Sequence, residues 1–311
     1  MVAPMRALLV SVVLLLTLPL ALRADRRGGP FEGVDLEAMR EAPAREFRPV
    51  GTTSVVYRVR LAEGGLIAFR PAQSGRPRGH LAELAAYRIA RALAMENVPP
   101  VVLRKEPLAK IDRLLDPRFE EKHQALRSKI HVRAGWVVGA AIHWVPDLTP
   151  SKLDKPEVRE GWLEALRVEG ARGEHSPSLL RDLSRLVFYD YLIGNWDRMS
   201  GGNLQTDPSG ERVYVRDHNL TFGESLAPRH ERPLLERLHR VERVSRGFVE
   251  RLRALDGPAL DRALAPDPLE PHLAILEEAE KRAVLARRRA ILAHVDALVR
   301  RHGEARVYAF D

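Results

Sequence analysis

Four residues, Asp207-Pro208-Ser209-Gly210, constrain this chain more tightly than any others. Asp and Ser favour turn initiation, Pro presets φ for the first central position, and Gly admits the left-handed conformation. The chain therefore reverses between "NLQT" and "ERVYVR", where Val213 and Val215 alternate with Tyr214 and Arg216 as in a strand. With 207–210 as the turn, position 206 faces 211, 203 faces 214 and 200 faces 217. Asp217 then returns beside Ser200 and Gly201, close to Asn203 and to the loop that bears Asp197. Just upstream, Leu180, Leu183, Val187 and Tyr191 share one helix face, and Gly194-Asn195 is a helix stop. Two aspartates and an asparagine are thus gathered at one end of a hairpin.

Two carboxylates and an amide oxygen suit a hard divalent cation such as Mg²⁺ or Mn²⁺, whose remaining ligands are waters and substrate phosphates. Arg198 is positioned to hold the loop by ion pairing, and Gly201 and Gly202 allow close backbone approach. Asp and Asn also fill caps and turns in ordinary surface loops, so a plain polar hairpin is the competing reading.

The first half alternates differently. "SVVYRVRL" (54–61) and "LIAFR" (66–70) read as strands around the turn "AEGG", with Val55, Tyr57, Val59 and Leu61 on one side. "EFRPV" is a further short strand. Residues 80–98 read as a helix whose apolar stripe is Leu81, Leu84, Ala85, Ile89, Ala92 and Leu93. Residues 104–135 are charged and mixed in character, and 135–145 form an apolar strand. Residues 232–256 and 269–301 read as long amphipathic helices. The architecture is α+β and two-lobed. A signal peptide or membrane anchor occupies 1–24, a linker 25–45, a strand-rich lobe with one main helix 46–147, and a mostly helical lobe 148–311.

Arg6 followed by the apolar run Ala7–Leu22 has the form of an export signal, with cleavage after Ala24. An uncleaved anchor, tethering the protein to a membrane, is the alternative. The body is expected outside the cytoplasm: periplasmic, secreted or membrane-anchored. With no cysteine it folds without disulfides. The net charge of +8 comes mainly from arginine, and acidic residues are interspersed, so no nucleic-acid partner is expected. No G-x-x-x-x-G-K-[ST] or G-x-S-x-G is present, and the histidines form no helical zinc pair. His143 reads as a strand residue, and Trp136 and Trp144 as core or cleft lining.

The blocks "GNWDRMSGGN" and "VRDHNLTFG" resemble the protein-kinase-like superfamily. The similarity is nearest to the secretory-pathway kinases related to four-jointed, and more distant to HipA and phosphoinositide kinases. The resemblance implies that Asp197 is the catalytic aspartate and that Asn203 and Asp217 hold the metal bridging the phosphates of ATP or another nucleotide. It implies a phosphate-covering loop at Gly51 in "PVGTTSVVY", strand three in "LIAFRP", and a helix-C glutamate at Glu83. The chain departs from the pattern in four places. Only one glycine marks the loop, Asn219 replaces a glycine after Asp217-His218, and Asp197 to Asn203 spans six positions rather than five. Most notably, no lysine precedes Lys105, so Arg70 stands where kinases place the phosphate-holding lysine. Arginine is permanently charged and forks, and is not equivalent to lysine at such a site. The implied function is metal-dependent phosphoryl transfer from a nucleotide to a hydroxyl acceptor on a protein, glycan or small molecule. The alternative is a pseudokinase, a non-catalytic module that binds nucleotide or a partner.

Overall fold

The computed structural model describes residues 29–51 and 54–310. The export signal or anchor expected over 1–24 lies outside the described residues, as do Thr52 and Thr53 of the glycine loop. The first lobe holds α1 (Leu36–Glu41), β1 (Ala44–Pro49), β2 (Tyr57–Leu61), β3 (Leu66–Pro71), α2 (Gly79–Ala92), β4 (Val101–Pro107), α3 (Leu108–Arg113), α4 (Glu120–Arg127) and β5 (Trp136–His143). The second lobe holds β6 (Thr149–Pro150), α5 (Pro156–Ala165), α6 (Pro177–Ile193), β7 (Leu204–Thr206), β8 (Val213–Val215), α7 (Pro228–Arg240), α8 (Arg246–Ala254), α9 (Gly257–Ala263) and α10 (Glu278–His302).

The five strands of the first lobe form one antiparallel sheet in the order β1-β2-β3-β5-β4. Its two faces serve different cores, as the period of two dictates. Val101, Leu103 and Ala140 face α2 and join the core that runs through α6 and α10. Val102, Val137 and Ala141 face the other way, with Phe47, Tyr57, Phe69 and residues of α3 and α4. The expected row Val55, Tyr57, Val59 and Leu61 is buried throughout.

Several stretches differ from the sequence expectation. Helix α1 sits inside the stretch read as linker, capped by Asp35 and packed through Met39. β4 runs from Val101 into the stretch 104–135 that reads as charged helix and loop. Its charges are internal: Arg104 and Glu106 are buried and pair with each other, and Arg104 also donates to the carbonyls of Met39, Arg40 and Ala42. The helix expected over 80–98 ends at Ala92, followed by Ala94 in the left-handed region. The single helix expected over 232–256 is two, because Val241 and Val244 are buried and the amides of Glu242 and Arg243 turn to the Leu166 carbonyl. The last long helix begins at Glu278 rather than 269.

Candidate functional site

Arg70 lies near the end of β3, paired with Ala140 of β5, so its side chain leaves the sheet toward α2. It is buried. Its Nη1 donates to Ser54 Oγ at 3.0 Å, and its Nη2 donates to Asp217 Oδ1 at 3.0 Å. Its Nε lies 3.2 Å from Glu83 Oε1, as an ion pair that lacks hydrogen-bond alignment. One guanidinium therefore holds the glycine-loop side, α2 and the segment after β8 at once.

Glu83 sits off the apolar stripe of α2, a position equally compatible with solvent, yet it is only 1% exposed. The amide and Nδ1 of His218 both approach its Oε2, at 3.0 and 3.2 Å. Burial alone would raise the Glu83 carboxyl, but the His218 hydrogen bonds and the Arg70 charge outweigh it and hold the group below the ordinary carboxylate range. His218 is itself buried, with its ring edge against Tyr189. Sequence reasoning gave His218 no such role, because a contact between residues 135 positions apart has no local signature.

The loop bearing Asp197 follows from how α6 ends. Gly194 takes φ 69°, the left-handed conformation that closes a helix at little cost for glycine. The Asn195 amide then bonds to the Asp190 carbonyl, and Asn195 Oδ1 accepts from the Asp197 amide at 3.2 Å. Arg198 fixes the loop, but not by pairing with its neighbour Asp197. It is fully buried and forks onto Asp190 of α6, with Nε to Oδ2 at 3.0 Å and Nη2 to Oδ1 at 3.1 Å. Its Nη1 donates to the carbonyls of Asn203, at 3.4 Å, and Arg216. The same side chain thus joins the loop, the start of β7 and the end of β8. Asn203 turns its amide nitrogen to Asp197, 3.1 Å from the carbonyl and 3.3 Å from Oδ2, leaving its amide oxygen without those partners.

The hairpin register is two residues off the expected one. Leu204 pairs with Val215 and Thr206 with Val213. The connection is 207–212 rather than 207–210, because Asp207 bonds through its amide to the Arg212 carbonyl and through Oδ1 to the amides of Glu211 and Arg212. Continued past the strand ends, this register sets Asn203 opposite Arg216 and Gly202 opposite Asp217.

Between the lobes lies a cavity of about 560 Å³, within the usual range for small-ligand sites. Gly51, Ser54, Arg70, Glu83, Arg216 and Asp217 line its polar part, and Val56, Ala68 and Ile142 its apolar part. His143 and Trp144 also line it, so His143 belongs to the cleft as well as to β5. Asp197 and Asn203 are outside its walls, on the adjoining loop. A Cβ on Gly51 would stand 2.0 Å from the Ser54 carbonyl oxygen, so no other residue fits this bend without moving it. Asp217 takes φ 63° and its side chain remains 36% exposed, with Oδ2 not engaged by Arg70. Among the described residues no group of three His, Asp or Glu side chains forms a complete metal cage. The donors at hand, Asp217 and the Asn203 amide oxygen, are hard oxygens that fit an ion drawing its remaining ligands from phosphate and water. Sequence reasoning assigned nothing to Ser54 or Arg216; Arg216 is flagged only by standing next to Asp217.

The chain is similar over most of its length to solved kinase structures. It superimposes on the Golgi casein kinase with Mn and ADP bound at a TM-score of 0.67, 18% identical, covering 87% of this chain and 76% of that one. It superimposes on hydra Fam20 with sugar at 0.67, 19% identical, covering 88% and 90%. The chain has the two-lobed kinase-like fold. In sequence it resembles glycosaminoglycan xylosylkinase from Danio rerio, 28% identical over 229 residues, and from Homo sapiens, 28% identical over 251 residues. These alignments cover 62% and 70% of the chain. The chain spans 55% and 59% of the length of those two relatives. No protein-family model matches it. The kinase-like fold and the likeness to secretory-pathway kinases therefore agree with the resemblance carried by the two motif blocks.

Proposed function

We propose that the protein is a metal-dependent kinase that moves a phosphoryl group from a nucleotide to a hydroxyl on a glycan or protein. The observation that carries this reading is the single guanidinium of Arg70 bridging Glu83 and Asp217 across a cleft of nucleotide size. The base of ATP fits the apolar walls at Val56, Ala68 and Ile142, which directs the phosphates toward Arg70, Asp217 and the Gly51 loop. The sequence likeness to xylosylkinases supports a glycan hydroxyl as acceptor.

Asp217 and Asn203 would hold Mg²⁺ or Mn²⁺, which neutralises charge on the phosphates when bound. The Mn and ADP in the Golgi casein kinase structure support the same pairing of metal and nucleotide here. Asp197 would orient the acceptor hydroxyl and receive its proton. The hydroxyl oxygen then bonds to the γ-phosphorus as the bond to the leaving diphosphate oxygen breaks. Arg198 and Asn203 keep Asp197 in place, the first through Asp190 and the second directly. Arg70 supplies the positive charge that lysine supplies in other kinases, already oriented by two carboxylates. The apolar N-terminal segment and the likeness to a Golgi kinase support export, with membrane anchoring through that segment as its finer form.

Incubation of the purified protein with ATP, Mn²⁺ and a xylose-containing acceptor tests this reading. Transfer of the γ-phosphate that is lost in Asp197→Asn is expected; transfer unchanged in Asp197→Asn overturns the assignment.

A further inference from the structure

A second cavity, of about 540 Å³, lies on the far side of α2 and shares no lining residue with the cleft. It opens at the N-terminus of α2, where no side chain caps the helix and the first turn contains no acid. The first turn of α2 is buried and the Gly79 amide already donates to the Arg76 carbonyl, so this end contributes through the dipole of a helix of this length, which favours an anion. His80, one turn before Glu83, lines the cavity and is only 5% exposed. Its ring makes no hydrogen bond among the described residues, and Nδ1 is fully enclosed. Buried polar groups are as a rule hydrogen-bonded, so an imidazole without a protein partner marks this wall as polar.

The charges around it have one predominant sign. Lys105 and Arg133 line the cavity, are exposed, and make no ion pair among the described residues. His131 and Arg78 add to them, although Arg78 already pairs with Glu277 at 2.9 Å and with Glu280. Glu270 is the one acid in the wall. Burial, then Arg78, His131 and Arg133, push His80 down to about 4, which reports the same positive field. Trp136 stands beside them, 41% exposed, with Lys105 4.8 Å from its ring centre. An aromatic left this open at the mouth of a polar cavity offers a flat face to a ring.

We infer that this cavity is a second ligand site, separate from the nucleotide cleft, which takes an anionic group carried on a sugar-sized ring. The anion lies among Lys105, Arg133 and Nε2 of His80, the ring nitrogen that is not enclosed, and the sugar-sized ring lies against Trp136. Sulfate and carboxylate share this chemistry, and separate probes distinguish them.

The test is a titration of the full chain with inorganic sulfate, with glucuronate and with neutral glucose, followed by melting temperature and tryptophan fluorescence. Wild type and Lys105→Ala/Arg133→Ala are compared, so that general salt stabilisation by sulfate cancels. Both replaced residues are exposed, which protects folding. Saturable binding of sulfate or glucuronate, weakened about tenfold or more in the double variant, is expected from the loss of two charge-assisted contacts. Glucose alone is expected not to bind, and Trp136→Phe to abolish the fluorescence response while leaving the sulfate-dependent melting shift. Identical responses in wild type and double variant overturn the inference. So does displacement of the probe by ADP with Mn²⁺, which would assign it to the cleft.

Discussion

Arg70 donates to Asp217 Oδ1 at 3.0 Å while its Nε stands 3.2 Å from Glu83 Oε1, so one side chain ties β3 to α2 and to the segment after β8. Removing it leaves Glu83 buried with only His218 beside it. Arg70→Met is expected to lower stability by about 3–5 kcal/mol, the loss typical when one member of a buried ion pair is removed. Urea unfolding measures it. Arg70→Lys keeps the charge but cannot fork onto Ser54, Asp217 and Glu83 together, and is expected to lose less stability while weakening nucleotide binding.

Arg198 and Asp190 make a second buried pair, one that holds the loop carrying Asp197. Asp190→Ala leaves a fully enclosed guanidinium with only carbonyl partners. A loss of about 3–5 kcal/mol is expected by the same argument. Even where the variant remains folded, transfer activity is expected to fall, since small misplacements of a positioning group cost about 10²-fold.

Gly51 tests the loop proposed to cover the phosphates. Gly51→Ala drives a methyl group into the Ser54 carbonyl and displaces the bend. Because Ser54 and Val55 beside the bend are buried, the midpoint of urea unfolding without ligand is expected to fall as well. The melting shift produced by ADP with Mn²⁺ is expected to shrink.

The pH dependence of stability has a specific source in His80, lowered from 6.5 to about 4 in the fold. A histidine with a depressed folded pKa gains its proton more readily when unfolded. Its contribution is complete above pH 6.5 and declines as pH falls from 6.5 toward 4, by about 3 kcal/mol in all at 1.36 kcal/mol per unit. His80→Asn is expected to flatten this part of the stability profile; an unchanged slope would show that His80 is not its origin.

Much of this site is legible in the sequence because it depends on local rules. Gly194 ends α6 and the reversal that starts at Asp207 returns the chain, so Asn203 meets Asp197 and the strand register leads Asp217 back opposite Gly202. The two-residue error in register came from Asp207, whose side chain and amide close a wider loop than its type alone suggests. Other features depend on distant partners. Glu83 turns inward because Arg70 and His218 await it, and Arg198 chooses Asp190 over its neighbour because α6 packs there. The second half of β4 is hidden by charge, since "RKEP" looks solvated until Arg104 and Glu106 are seen to satisfy each other.

The most direct test of the account is the melting temperature of wild type and Asp217→Ala with ADP and Mn²⁺. At a ligand concentration of about 100 times Kd, binding to the folded state adds about 2.7 kcal/mol. Wild type is expected to show a matching rise that needs both nucleotide and metal, and Asp217→Ala to show none. An absent shift in wild type, or an equal shift in Asp217→Ala, would contradict the placement of nucleotide and metal between Arg70 and Asp217.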